Sequence, residues 1–316
     1  MHALANPAAT ARGALAPFAA LVAGAVAMGA SPIFVRLADV GPFASAFWRV
    51  ALALPLLYAW MRLADGKEAA GKGFSRAAVL SGVAFSGDLF FWHLAIVHTS
   101  VANATFFATT APIWVVLFGW LLFRERASAG VLVGLGLCLI GGMALLAQSF
   151  ELKPAGALGD AFGIATGVFF GLYFLAVQAA RKTASAARLT FEATLITAAI
   201  LFVVAFAAER SMLPHTMRGV AALLAMAWIS HCGGQGLLSI ALGRLPAAFS
   251  SLVIFLEAIA AAGFGYLVLG EPVTWVQALG GLAILAGIFV ARPVSGIKPR
   301  WSRLHRPQSS GRSCRP

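Results

Sequence analysis

The chain has 316 residues, of which 60% are hydrophobic and 11% charged, with a formal net charge of +12. A water-soluble domain of this length carries about 25% charged residues, so this chain cannot cover a surface that faces water and belongs in a bilayer. The basic excess does not mark a nucleic-acid surface: seven of the 23 Lys and Arg fall from Arg292 onwards and most others flank apolar runs, which is a topology signal.

A membrane span needs about 20 mostly apolar residues. Ten such runs follow in chain order, at roughly 16–36, 43–62, 77–97, 101–123, 129–148, 157–180, 189–208, 219–241, 246–269 and 273–291. Helix is the expected form, because backbone groups in lipid must be satisfied within their own segment. The first run follows Arg12 but heads a long series, so it reads as an uncleaved span and not a signal peptide. Short connections make neighbouring spans antiparallel. Lys and Arg then divide 18 to 4 between the two sides, with Arg49 inside a span. That asymmetry predicts both termini in the cytoplasm, in agreement with an even number of spans.

The chain also repeats itself at an offset of 146 residues. "SVANAT" at 100–105 lies over "PAAFSS" at 246–251, and "VGLGLCLIGG" at 133–142 over "LGGLAILAGI" at 279–288. The register matches Gly134 to Gly280, Gly141 to Gly287 and Glu125 to Glu271. Five spans per half is an odd number, so the second half is inverted in the membrane. The predicted fold class is therefore an all-α membrane protein of ten transmembrane helices arranged as two inverted five-helix repeats. Residues 1–15 form a cytoplasmic segment, 16–148 the first repeat, 157–291 the second, and 292–316 a basic tail. The composition of that tail suits disorder and contact with anionic lipid. Inverted repeats are a transporter signature, with the site near midplane between the halves.

Three stretches resemble a known family. "SPIFVRLADVGPFASAFWR", "TSVANATFFATTAPIWVVLFGWLLFRER" and "RLPAAFSSLVIFLEAIAAAGFGYLVLGEPVTWVQALGGLAILAGIFVAR" are similar to the EamA family of the drug/metabolite transporter superfamily, and the resemblance covers about residues 16–292. It implies ten helices, small-solute transport, often export of amino acids or related metabolites, and a bacterial inner membrane. In one respect the chain departs from the family. The family's ninth helix usually has Pro after its acidic or amide residue, and here Ala258 stands there, although the first-half counterpart Pro112 is present. The resemblance leaves a kink in the ninth helix in question.

Two carboxyl groups lie deep in the apolar runs. Asp88 is 12 residues past Arg76, or roughly 18 Å into the bilayer at 1.5 Å per residue. Glu257 lies about as deep in the ninth run, on one helix face with Ser250. Intramembrane carboxyls usually face a cavity or partner and mark ion or substrate pathways; a structural hydrogen bond is the competing reading for each. Trp92 shares a face with Asp88. His93, five residues on, points about 140° away and reads as a packed histidine, as does His231 in "ISHCGGQG", where Gln235 is a candidate cavity amide. Arg49 could snorkel to the outer interface, or serve a solute carboxylate or a gate as part of the recurring "FWR" motif. Asn103 and Thr110 are seven apart and could form a polar wall or a packing face. Glu192 reads as an interfacial ion pair with Arg188.

Cys138, Cys232 and Cys314 show no metal or disulfide spacing. No cofactor, metal or nucleic acid is expected, and no enzyme motif is present. The expected partners are a small-molecule substrate and membrane lipid, with oligomeric state left open. The competing class is a membrane protein that transports nothing, such as an intramembrane enzyme or an assembly partner.

Overall fold

A computed structural model describes residues 7–66, 73–99, 101–146, 156–270 and 272–293. Glu271, Lys67, Lys72, Lys153, Cys314 and the tail beyond residue 293 lie outside the described residues. Within them the chain is helical: α1 (Pro7–Gly29), α2 (Ser31–Leu37), α3 (Pro42–Ala51), α4 (Leu54–Asp65), α5 (Arg76–His98), α6 (Val101–Ala108), α7 (Ala111–Phe123), α8 (Ala129–Leu146), α9 (Ala157–Ala180), α10 (Ala186–Ala208), α11 (Met217–Ala225), a π-helical segment (Met226–Gln235), α12 (Gly236–Leu242), α13 (Ala247–Val253), α14 (Leu256–Leu269) and α15 (Trp275–Ala291). Nine helical stretches among the described residues are long and apolar enough to cross a membrane, from Leu15–Leu37 to Ala247–Val268. They fall within a few residues of the first nine runs read from sequence. The tenth, Trp275–Ala291, is apolar but 17 residues long, at the short end of what a bilayer requires.

Four of these stretches are broken in two. Pro32, Pro55 and Pro112 each sit in the first turn of the second piece, α2, α4 and α7. Proline lacks the N–H and crowds the preceding turn, so the helix gives way just before it. The fourth break, between α13 and α14, has no proline. There the amide of Glu257 donates to the Ile254 carbonyl at 2.8 Å and that of Ala258 to Phe255 at 3.1 Å, three residues back in each case. Hydroxyl groups help to loosen both the first-half and second-half breaks: Thr109 donates to the Phe106 carbonyl at 2.7 Å and Ser251 to the Ala248 carbonyl at 3.0 Å. Such back-bonding competes with the helix ladder and bends it. The ninth stretch is thus interrupted at 254–255 without a proline.

The register of 146 reappears in the packing. α7 and α14 both end on a left-handed residue, Arg124 at φ 58° and Gly270 at φ 68°, which are 146 apart. α8 and α15 cross through reciprocal glycine contacts. A Cβ on Gly134 would stand 2.5 Å from the Gly287 carbonyl oxygen, and one on Gly287 would stand 2.6 Å from that of Gly134. Gly141 and Gly280 face each other in the same way. Cys138, midway, donates its thiol to the Ile284 carbonyl at 3.6 Å. The glycine stripe therefore packs inside the fold, as small residues do where helix backbones approach closely. Elsewhere in the bundle, α5 packs against α9 and α10, and α10 against α3 and α4.

The glycine contacts make a prediction. Gly141→Leu forces a side chain onto a backbone carbonyl that cannot move alone, and should cost about 1–3 kcal/mol, seen as a lower Tm in detergent. Gly136→Leu, where a Cβ meets nothing within 4 Å, should leave Tm unchanged.

Candidate functional site

The breaks surround a cavity of about 80 Å³, several times the space one water needs. Arg49, Asp88, Trp92, Gln235 and Glu257 all line it. Each arrives from a different local cause. Arg49 stands on the last turn of α3, three residues before the break at Leu52. Asp88 and Trp92 are one turn apart on the continuous helix α5. Glu257 lies in the first turn of α14, at the end of a helix that favours negative charge. Gln235 closes the π-helical segment, a rare form that is frequent at functional sites. Gly234, its neighbour, packs so tightly on α1 that a Cβ would meet the Met28 side chain.

Arg49 is 7% exposed and Asp88 8%, so the guanidinium does not reach the outer surface. The charges of Asp88 and Glu257 both act on Arg49. Its Nε has no hydrogen-bond partner, and neither does Oε1 of Gln235, which is 2% exposed, nor the hydroxyl of Ser31. All three residues line the cavity. A buried polar atom left unpaired costs about 1–3 kcal/mol, so these side chains are held at a cost in the wall of the cavity. Phe85, Phe170 and Ile254 form a buried floor, while Pro32, Trp92, Thr105, Thr109 and Ala261 form a half-buried rim. The rim lies toward the His98 end of α5.

The remaining sequence candidates lie outside the cavity. His93 is buried and donates its Nδ1–H to the Leu89 carbonyl at 2.6 Å, with its ring edge-on to Trp92. His231 meets the Thr194 hydroxyl through Nε2 at 2.9 Å, beside Phe85. Glu192 pairs with Arg188 at 2.6 Å. Asn103 donates to Asp160 at 2.9 Å, as does the Thr99 hydroxyl, tying α6 to the start of α9. Thr110 donates to the Phe107 carbonyl at 2.6 Å, and Trp114 Nε1–H reaches its hydroxyl at 3.4 Å. Asn103 and Thr110 share no wall because the helix breaks at 109–110. Ser250, placed by helical spacing on one face with Glu257, is cut off from it by the break at 254–255 and does not line the cavity.

Sequence reasoning missed Ser31, Phe85, Thr105, Thr109 and Phe170. Thr105 and Thr109 are four apart, a spacing that could have drawn attention to them. Among the described residues, no group of three His, Cys, Asp or Glu side chains comes together to hold a metal.

The sequence profile of the EamA-like transporter family matches residues 16–147 and 157–292. The chain belongs to that family. This EamA-like chain is 30% identical over 295 residues to an "Uncharacterized transporter" of Archaeoglobus fulgidus, covering 86% of this chain and 95% of the relative. It is 26% identical over 284 residues to another protein so described from Helicobacter pylori, covering 84% and 91%. A solved crystal structure at 18% identity superposes with a TM-score of 0.77, over 88% of this chain and 95% of that one, which is a likeness of fold. The family is one of membrane transporters and not of enzymes.

The cavity can be mapped by labelling. In a variant with Cys138, Cys232 and Cys314 replaced by Ala, Thr109→Cys should react with a water-soluble maleimide in detergent, and Asn103→Cys should not. Equal labelling of both would contradict the assigned lining.

Proposed function

We propose that this chain is a secondary transporter that moves a small polar solute by alternating access through the cavity at Arg49, Asp88 and Glu257. The observation that carries this reading is that one guanidinium and two carboxyl groups line a single cavity at the places where the helices are broken. Broken helices at the midplane are where transporters bind solutes and coupling ions. The reciprocal glycine contacts and the matched left-handed caps support ten spans arranged as two inverted five-helix repeats. The 18 to 4 division of Lys and Arg supports cytoplasmic termini in a bacterial inner membrane.

In that orientation the rim at Trp92 and Thr105 faces outward. The opposite side is closed by Arg181 Nε–H on the Ser239 carbonyl at 2.9 Å, Gln178 on the Leu245 carbonyl at 3.2 Å, and the Ser185 hydroxyl on Asp65. These bonds must open for release to the other side. Asp88 and Glu257 are the groups that exchange protons with the solute cycle, so a pH gradient drives accumulation.

Proteoliposome flux tests the reading. Saturable uptake of one solute from a broad panel is expected, and none at all would overturn it. Asp88→Asn and Glu257→Gln should each lose accumulation driven by a pH gradient while retaining measurable counterflow at reduced affinity. Retention of pH-driven accumulation by both would remove the coupling role.

A further inference from the structure

The cavity holds one fixed cation and two acids, so its charge is unbalanced by one unit when both acids are ionised. The groups that act on Asp88 are Arg49 of α3 and Glu257 of α14; Tyr173 of α9 feels both Asp88 and Arg49. From α1, α2 and α6 the lining is Met28, Ser31, Pro32, Thr105 and Ala108, none of which titrates. The two nearby histidines do not line it: His93 Nδ1–H is on the Leu89 carbonyl and His231 Nε2 on the Thr194 hydroxyl, and the other ring nitrogen of each is unpaired. Among the described lining residues, no other side chain carries a charge that balances the second carboxylate. In low dielectric an unbalanced charge is expensive, so the empty site keeps one proton on the Asp88–Glu257 pair.

Resting on the transporter reading above, we infer that the solute carries a single positive charge, as an ammonium group, and that its entry releases one proton. The charge balance favours this over the alternatives. A zwitterion leaves the site neutral and gives the proton no reason to leave. An anion adds a negative charge that only a second proton could offset. A cation displaces the proton and keeps the site neutral: R–NH3+ enters and H+ goes to solvent. Trp92 and Phe85 on the lining offer ring faces that attract a cation.

The test uses three solutes with one carbon skeleton and different charge: pentylamine, norleucine and hexanoate. Each is titrated calorimetrically into the full-length protein in detergent, in two buffers of different ionisation enthalpy. Pentylamine should bind with release of about one proton. Its apparent affinity should rise with pH, by up to tenfold per unit while the proton is held. Norleucine and hexanoate should bind at least tenfold more weakly. In Asp88→Asn the amine should bind more weakly and release no proton, and Glu257→Gln provides the same check if that variant folds poorly. Amine binding without proton release, stronger binding of norleucine or hexanoate, or no binding of any of the three would overturn the inference. The same solutes in proteoliposomes separate the two claims. Saturable norleucine counterflow would keep the transporter reading and remove this one. Amine binding with proton release but no flux would do the reverse.

Discussion

Everything in this structure depends on keeping one guanidinium and two carboxyl groups in the middle of an apolar helix bundle. An isolated charge there costs several kcal/mol. Arg49, Asp88 and Glu257 answer that cost together, because the one guanidinium shares a cavity with both carboxyl groups. Removing Arg49 leaves a carboxylate uncompensated, which is the expensive outcome for buried charges. The scaffold therefore has to hold three separate helices in a fixed relation while leaving space between them.

It does so with two kinds of helix. α5 and α9 are continuous and pack along each other, with Phe85 and Tyr173 at 4.9 Å and Phe91 and Phe169 at 5.3 Å. The broken stretches around them give up regular hydrogen bonds near the cavity and recover them by tight turns and hydroxyl bonds. α8 and α15 meet through glycines, where backbone approaches backbone. The interrupted helices lie around the cavity together with the continuous pair, which supplies Phe85, Asp88, Trp92 and Phe170 to its lining.

The sequence made the helices legible because bilayer thickness sets their length, and it made Asp88 and Glu257 legible because depth in an apolar run follows from counting residues. Trp92 followed from helical spacing on α5, an unbroken helix where such spacing holds. The same arithmetic failed for Asn103 with Thr110 and for Ser250 with Glu257, since a break between the members of each pair redirects one of them. Those breaks are only partly marked in sequence. Pro32, Pro55 and Pro112 announce three, while the one at 254–255 has no proline and arises from local turns and Ser251. Arg49 was ambiguous because its burial depends on where α3 ends and on carboxyl groups from α5 and α14, a matter of tertiary contact. The unpaired atoms of Gln235 and Ser31 have no signal in one dimension.

The most direct test of the central claim, that Arg49 and Asp88 stabilise each other in the bundle, is a double-mutant cycle on unfolding in detergent, with Arg49→Gln, Asp88→Asn and the pair. Charges that share one cavity should show a coupling of about 0.5–3 kcal/mol, with the double variant losing less stability than the two single losses summed. Additive losses, agreeing within about 0.5 kcal/mol, would mean that the two groups do not sense each other, and would contradict the account.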